Sequence, residues 1–282
     1  MKLWLNGTLK DAATVRIDPA DRGFLLGDGL FETMLARAGH IAFLDEHLLR
    51  LIGGADTIGL AMPFAPDHIQ DACRSLLSAN GLEDAPRVSL RATLTRGPGP
   101  RGLALPAVPA PTMLITCAPA AAPPNRLSAI IATPRRNPWS PSAHLKALPY
   151  LDNVLAKKEA KEKGADEALM LDTHGNLACA SAANLFLWEG NRLITPSEGC
   201  AILPGITRAA LLELAPGLGI KVGEEEIAPA RLRHVSGAFV TNSVMGPVPL
   251  SRIDGHDIPA HPMTARLTAA YEVLLDAADE ND

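Results

Sequence analysis

The sequence has no surplus of positive charge. Its 282 residues include 26 lysines and arginines against 31 aspartates and glutamates, and the formal net charge is −5. Binding to nucleic acid without sequence preference needs a basic face that displaces counterions from the phosphates. The charge balance therefore argues against nucleic acid as a partner, although it leaves room for a local basic pocket.

Long apolar runs and a targeting segment are also missing. The most apolar region, residues 104–124, contains six prolines, which exclude an ordinary membrane-spanning helix. The first residues, MKLWLNG, contain an apolar run of three residues, which is too short for the apolar stretch of a signal peptide. We therefore expect a cytoplasmic protein without a membrane segment.

Cysteines are few and widely separated. No two of them form a CxxC pair; they are Cys73, Cys117, Cys179 and Cys200. This spacing fits reduced thiols in the cytoplasm better than a disulfide framework or a zinc site. We expect no bound metal.

The composition is that of an ordinary globular protein, with 47% apolar and 20% charged residues. The length suffices for two domains. Helical spacing over residues 45–60 and 66–82 is followed by strand-like stretches such as 87–95 and 167–172. The proline- and alanine-rich stretch APAAAPPN is the best linker candidate. We predict an α+β protein with an N-terminal domain, a linker and a C-terminal domain over residues 1–118, 119–125 and 126–282.

Two basic residues are candidates for chemistry, and neither is decisive alone. Lys146 lies just ahead of a predicted helix, in HLKALPYLDN, where a lysine is usually a solvated surface group. Arg50 follows His47 by three residues and shares a helix face with it, an arrangement that is more often a surface pair than an anion clamp.

Two further segments offer groups that bind phosphate. In LPGITR, Gly205 permits close backbone approach, and Ile206 and Thr207 open a helix whose free N–H groups could cradle an anion. The same pattern also fits an ordinary helix start. TNS, residues 241–243, supplies hydroxyl and amide donors directly after a strand, and it fits a simple turn as well.

The order of seven segments along the chain resembles the class IV aminotransferase family. They are RGFLLGDGLFET, HLLRL, TRGPGPRG, LKALPYL, ASAANLF, LPGITR and TNSVMG, and they span nearly the whole chain. That family has the type IV fold of pyridoxal 5′-phosphate (PLP) enzymes, and it includes branched-chain and D-amino acid aminotransferases and aminodeoxychorismate lyase. The resemblance implies a two-domain, D-amino acid aminotransferase-like α+β fold, a PLP cofactor and, as is typical of the family, a homodimer.

The resemblance also implies roles by position. Lys146 would hold PLP as an internal aldimine and, as a freed amine, would move protons at the substrate α-carbon. Arg50 would bind the cofactor phosphate. Other residues would cap that phosphate, pack on the ring or reach its phenolic oxygen; they are Ile206, Thr207, Asn242, Ser243, Val244, Leu203 and Tyr150.

One position departs from the family pattern. The family normally places a glutamate five residues before the asparagine of the NLF segment, facing the pyridine nitrogen, and counting back from Asn184 reaches Cys179. A thiol cannot supply a full negative charge at neutral pH without help. Three interpretations stay open: a weaker electron sink that suits elimination, a charge from a distant residue, or a nearly inactive protein.

We expect a PLP-dependent aminotransferase that acts on a small amino acid and a 2-oxo acid. The first alternative is 4-amino-4-deoxychorismate lyase, which eliminates pyruvate to give 4-aminobenzoate. The second is a PLP-binding protein with little catalysis. Arg101 is the expected clamp for the substrate carboxylate, although a loop arginine also fits a solvated role. D-amino acid aminotransferases carry a histidine two residues after the arginine that matches Arg101, and this chain has Leu103 at that position.

Overall fold

A computed structural model describes residues 1–277, which fall into two units. The first unit comprises Met1–Ala121 and Leu145–Pro149. The second comprises Ala122–His144 and the chain from Tyr150 onward. The last residues of the predicted C-terminal domain, 278–282, lie outside the described part.

The first unit is built on a six-stranded antiparallel sheet. Its strands are β1 (Lys2–Leu5), β2 (Thr8–Asp11), β3 (Gly29–Arg37), β4 (His40–Ile41), β5 (Val88–Thr95) and β6 (Thr112–Pro119), and its helices are α1 (Arg22–Leu26), α2 (Leu44–Thr57) and α3 (Pro66–Ala79). The strand order is β2-β1-β6-β5-β3-β4. Strand β3 therefore lies between β5 and the short edge strand β4.

The core of this unit follows the two periodicities of its sequence. Every second residue of β5 from Val88 to Leu94 is buried, while α2 buries one face that includes Leu48 and Leu51. Both helices predicted over residues 45–60 and 66–82 exist, and both end earlier. Each is followed by a glycine in the left-handed region, Gly59 with φ 59° and Gly81 with φ 64°, a conformation that stops a helix.

The second unit is built on a nine-stranded mixed sheet. Its strands are β7 (Leu127–Arg136), β8 (Glu167–Asp172), β9 (Leu177–Ala180), β10 (Asn184–Glu189), β11 (Arg192–Pro196), β12 (Lys221–Glu225), β13 (Gly237–Asn242), β14 (Gly246–Ile253) and β15 (His256–Asp257), and its helices are α4 (Leu151–Glu162), α5 (Ile206–Gly217) and α6 (Pro262–Ala277). The order is β12-β11-β10-β13-β14-β7-β8-β9, and β15 pairs with β14.

Strand β9 also pairs with β10, so six strands of this sheet close into a ring. The closing pair is Cys179 with Asn184. Strands β8 and β9 are buried at every residue, because both of their faces are covered, and this explains their nearly continuous apolar sequences. Closure leaves no free edge at these strands and brings distant chain segments side by side.

The segment 145–149 belongs to the first unit because it bonds to β3. The amide of Phe31 donates to the carbonyl of Lys146 at 2.9 Å, and the amide of Leu148 donates to the carbonyl of Gly29 at 3.0 Å. The sequence placed Lys146 in the C-terminal domain, and the structure differs on this point. The domain boundaries themselves stay a prediction.

Neither a membrane crossing nor a metal cluster is evident in the described residues. None of the helices up to Ala277 has the length and hydropathy that a membrane crossing needs. Within the same range, no three His, Cys, Asp or Glu side chains are grouped so as to hold a metal ion. The four cysteines are free and buried.

Two arginines around one aspartate connect the elements of the first unit. Arg96 donates to both carboxylate oxygens of Asp28, at 3.1 and 2.9 Å, and to two carbonyls just after α2. Arg22 donates to Asp28 at 2.8 Å and to carbonyls of the loop 102–104. Burial would raise the pKa of Asp28, but the hydrogen bonds from both arginines outweigh it and lower the pKa.

Replacement of Arg96 tests this network. We expect Arg96→Met to lower the free energy of unfolding by about 3 kcal/mol. The carboxylate of Asp28 loses one of its two arginine donors, and two carbonyls lose their donor as well. Urea unfolding followed by circular dichroism measures the change. The control is Arg74→Met at an exposed pair with Asp71, where a change within about 0.5 kcal/mol is expected. Equal effects of the two substitutions would contradict the network's importance.

Candidate active site

The segment that carries Lys146 bonds to strand β3. One residue of β3 at this contact, Gly29, has room for no side chain. A Cβ on Gly29 would lie 2.3 Å from the carbonyl oxygen of Leu94 and 2.9 Å from the side chain of Leu148. The glycine of the GDGLFET segment therefore allows β5 and the segment of Lys146 to approach the same residue of β3. This close approach fixes where the lysine side chain begins.

The side chain of Lys146 lies among aromatic and charged groups of the same unit. Its Nζ is 4.6 Å from the centre of the Phe31 ring. Desolvation lowers the pKa of the amine from 10.5 to about 8; the charge of Glu32 opposes this shift, and those of Arg50 and Arg91 add to it. At pH 7 about a tenth of such amines are unprotonated, far more than for an ordinary lysine. This favours a nucleophilic role.

A buried carboxylate lies at the centre of these charges. Nε and Nη2 of Arg50 donate to Oε1 and Oε2 of Glu32, each at 2.7 Å. Nδ1 of His47 lies 2.7 Å from Oε2 of the same carboxylate. Glu32 and His47 are fully buried, whereas Arg50 is partly accessible. Residues of β3 and α2 thus form one hydrogen-bonded group.

The protonation states of this group follow from its contacts. Burial would raise the pKa of Glu32, but hydrogen bonds from His47 and Arg50 outweigh it and lower the pKa to about 2. Burial lowers the pKa of His47, against the effect of Glu32. The carboxylate is therefore ionised and the imidazole neutral, so Nδ1 carries the proton that it donates to Glu32. Nε2 of His47 is buried and has no hydrogen-bond partner among the described residues.

Local structure explains how these side chains meet. His47 and Arg50 are three residues apart on α2, a spacing that places both on one helix face. Glu32 lies on β3, which is buried at seven of its nine residues, so a carboxylate there requires partners. The surface pair that the sequence also allowed is excluded by the burial of His47.

Two residues of this group were missed by the sequence analysis. Arg91 lies on β5, with its guanidinium carbon 3.8 Å from the centre of the Phe31 ring that Lys146 also contacts. Glu32 was read only as part of the GDGLFET segment. Glu32 is a charged residue within a largely buried, apolar strand, which was an available signal, whereas Arg91 lies on the polar face of an alternating strand, where nothing distinguishes it.

In the second unit, Cys179 is a buried and uncharged thiol. It lies on β9 and packs in an apolar cluster with residues such as Met170 and Ile202. Burial raises the pKa of the thiol; Arg136 lowers it and Glu167 raises it further. The balance is a raised pKa, so Cys179 carries no negative charge at neutral pH.

Asn184 joins the candidate segments of the second unit. Its backbone pairs with Cys179 on one side and with Thr241 on the other. Its side-chain Nδ2 donates to the carbonyl of Leu203 at 3.0 Å. A Cβ on Gly205 would lie 2.0 Å from its Oδ1, so a side chain at that position would displace the side chain of Asn184. The ASAANLF, LPGITR and TNSVMG segments therefore meet at one residue.

Helix α5 begins at this place. Gly205 precedes it and has no side chain to cap it, and the amide of Ala209 is the first to bond back, to Gly205. The amides of Ile206 and Thr207 therefore lack partners within the helix, as expected at an N-terminus. The hydroxyl of Thr207 is buried and lies 3.1 Å from the hydroxyl of Tyr271.

The TNS segment is a turn held by its asparagine. Oδ1 of Asn242 accepts from the amides of Val244, at 3.1 Å, and Met245, at 2.8 Å. The side chain of Asn242 therefore shapes the turn around Ser243. Before it, the hydroxyl of Thr241 is buried without a hydrogen-bond partner in the part of the chain that is described.

Two further predicted site residues lie at a helix start and on a loop. Tyr150 is partly buried and immediately precedes α4. Arg101 is exposed on the loop between β5 and β6, next to the carbonyls that Arg22 holds. The roles predicted for both stay predictions.

The pH at which the amine of Lys146 becomes reactive tests its surroundings. In the chain without cofactor, we expect the acetylation rate of Lys146 to rise with a midpoint near pH 8, because desolvation holds its pKa at about 8. Competitive labelling with acetic anhydride, read by peptide mass spectrometry, measures this midpoint. The denatured chain serves as the control, with an expected midpoint near the unperturbed value of 10.5. Equal midpoints in the two states would contradict this description.

Known proteins resemble the chain over nearly all of its length. A protein of Methanocaldococcus jannaschii, provisionally named a branched-chain-amino-acid aminotransferase, is 34% identical over 263 residues, which cover 92% of this chain and 90% of that protein. A D-alanine aminotransferase of Bacillus licheniformis is 30% identical over 280 residues, which cover 96% of each.

Similarity extends to solved structures and to a family. The crystal structure of 4-amino-4-deoxychorismate lyase from Pseudomonas aeruginosa has a TM-score of 0.85 and 30% identity, covering 97% of this chain and 99% of that one. Such similarity confirms the predicted α+β type IV fold. The named reactions of these relatives differ, so they leave the substrate open. The amino-transferase class IV family matches residues 29–253, which is most of the sequence, and this chain belongs to that family.

Proposed function

We propose that this enzyme is a PLP-dependent aminotransferase that transfers an amino group between a small amino acid and a 2-oxo acid. The observation that carries the proposal is the position of the Lys146 amine, 4.6 Å from the centre of the Phe31 ring and in the field of the Arg50 guanidinium, where mainly desolvation lowers its pKa to about 8. PLP joins to a lysine and carries a doubly charged phosphate. An available amine and a guanidinium are the two groups that it requires.

The first unit fits the cofactor through these two side chains. The guanidinium of Arg50 is oriented by two hydrogen bonds to Glu32 and remains partly accessible, as a phosphate ligand must be. The desolvated amine of Lys146 is suited to a covalent bond with an aldehyde. Both groups are supplied by buried or tightly bonded elements, which limits their reorganisation on binding.

The second unit fits the phosphate through unsatisfied donors. The amides of Ile206 and Thr207 lack helical partners, and the N-terminus of α5 favours negative charge. The buried hydroxyl of Thr241 has no partner within the described residues, which fits a site completed by a ligand. We propose that Asn242 shapes the turn that presents Ser243 and Val244, and the other predicted contacts are Leu203 to the ring and Tyr150 to its phenolic oxygen.

The protein's own residues would then act on the substrate. When bound, PLP supplies an electron-withdrawing ring that stabilises negative charge at the substrate α-carbon. Lys146 is proposed to move the proton at that carbon, because an amine with a pKa near the working pH is an effective general base. Arg101 is proposed to pair with the substrate carboxylate.

The proposal includes a homodimer in the cytoplasm. The homodimer is what family membership leads us to expect, and the exposed apolar side chains of α1, Phe24 and Leu25, are compatible with an interface. The cytoplasmic location rests on the four free, scattered cysteines.

A second candidate function is 4-amino-4-deoxychorismate lyase, and Cys179 favours it. A neutral thiol cannot hold a proton on the ring nitrogen as a carboxylate does, so electron withdrawal by the ring is weaker. We infer that β-elimination of pyruvate tolerates this loss better than full transamination. Oxo acid formation from a panel of L- and D-amino acids would mark the aminotransferase, and pyruvate release from aminodeoxychorismate would mark the lyase. Bound cofactor with neither activity would leave a PLP-binding protein with little catalysis.

Attachment of the cofactor is the first test. We expect the purified protein, supplied with excess PLP, to absorb visible light and, after borohydride treatment, to carry a phosphopyridoxyl label on Lys146. Absorbance and peptide mass spectrometry measure this. Lys146→Ala should abolish the label, while Lys158→Ala, at an exposed pair with Glu162, should keep it. A colourless protein, or a label only on another lysine, would exclude the proposed function.

Replacement of the thiol tests the position of Cys179. We expect Cys179→Glu to red-shift or strengthen the absorbance of the protonated cofactor and to alter turnover, because a carboxylate stabilises the protonated ring nitrogen. Cys179→Ser, which adds no charge, is the control and should leave the band in place. If the spectrum of a folded Cys179→Glu protein equals that of the wild type, Cys179 does not face the ring nitrogen.

A further inference from the structure

Glu32 is a carboxylate within an apolar strand, and the proposed function leaves it without a role of its own. It is 1% exposed and lies on β3 between buried residues such as Phe31 and Met34. A charge in such surroundings costs free energy unless it is paired and hydrogen-bonded. An apolar residue would fill the same position without that cost, so the carboxylate requires an explanation.

The contacts of Glu32 show one effect of this carboxylate, which is on Arg50. Both of its oxygens are used, by Nε and Nη2 of Arg50 and by Nδ1 of His47, all at 2.7 Å. An arginine held through two of its nitrogens has a fixed guanidinium plane. The direction of its other N–H bonds is then fixed as well. Glu32 therefore determines how Arg50 meets an anion.

The charges that act on Lys146 show a second effect of Glu32. They come from three elements, as Glu32 on β3, Arg50 on α2 and Arg91 on β5, and the titratable His47 of α2 also lies in the field of this amine. Two of these groups are guanidinium cations, and His47 is neutral. Within the described chain, Glu32 is the acidic group whose charge acts on this amine. It offsets part of the repulsion between the lysine and the two arginines.

We propose that Glu32 is a positioning residue with two effects, orienting the Arg50 guanidinium toward a phosphate and balancing the positive charge around Lys146. The inference rests on the proposed function, since it takes the phosphate of PLP as the anion that Arg50 binds. It assigns no chemical step to Glu32, which acts only through its neighbours. Geometry supports the first effect, and the arrangement of charges supports the second.

Two substitutions in the full-length protein separate the effects. Glu32→Gln keeps the size and removes the charge, whereas Glu32→Asp keeps the charge and shortens the side chain. We expect the Kd for PLP, measured by absorbance titration, to rise about tenfold in both, because each disturbs the bonds to Arg50. The midpoint of Lys146 acetylation should fall by about one pH unit in Glu32→Gln and stay near the wild-type value in Glu32→Asp.

A matched control distinguishes positioning from loss of folding stability. Asp21→Asn removes another 1%-exposed carboxylate of the same unit, which accepts from Thr95 and Gly23. It should lower the thermal midpoint without changing the Kd or the acetylation midpoint. The inference is overturned if Glu32→Gln leaves both values unchanged, or if Asp21→Asn changes them as much. If the wild-type protein binds no PLP, the proposed function and the first effect of Glu32 both fail, and the acetylation midpoint of Glu32→Gln then decides the second effect alone.

Discussion

The hydrogen bonds between strand β3 and the segment 145–149 are the constraint on which the candidate site depends. They attach Lys146 to the sheet of the first unit, although the chain on both sides of the segment belongs to the second. Without them, the lysine would lie on a connection without fixed neighbours. With them, its amine lies against the ring of Phe31, and Gly29 provides the space that this approach requires.

The electrostatics of the first unit follow from this placement. Desolvation is the largest effect on the amine of Lys146, and together with the charges of Arg50 and Arg91 it outweighs the opposing charge of Glu32 and holds the pKa at about 8. The same Glu32 carboxylate holds Arg50 in one orientation. One buried carboxylate thus affects both the amine of Lys146 and the guanidinium of Arg50, the two groups proposed to hold the cofactor.

In the second unit, closure of the sheet brings distant segments of the chain together. Pairing of β9 with β10 sets Cys179 beside Asn184, and the side chain of Asn184 reaches the segment that starts α5. The candidate residues of this unit therefore lie mostly on strands and at a helix start rather than on long loops, which favours a rigid arrangement. The thiol of Cys179 is the feature that separates the two candidate functions, because its proposed place is beside the ring nitrogen and not beside the phosphate.

Much of the fold was predictable from local patterns. The helices over residues 45–60 and 66–82 and the strand over 167–172 are present, because apolar periodicity and flanking glycines act over neighbouring residues. The order of motif segments also identified the family. That order singled out Lys146 and Arg50, although neither residue was convincing by its own position.

Tertiary structure alone decided the remaining features. Glu32 and Arg91 are 114 and 55 residues before Lys146 in the chain, and only the pairing of β3 with β5 and with the segment 145–149 brings them to it. The lowered pKa of the amine, the ionised state of Glu32 and the role of Asn242 in its turn have the same origin. A sequence determines which side chains exist and which local elements they favour, but pKa values and hydrogen-bond partners depend on distances that only the folded chain sets.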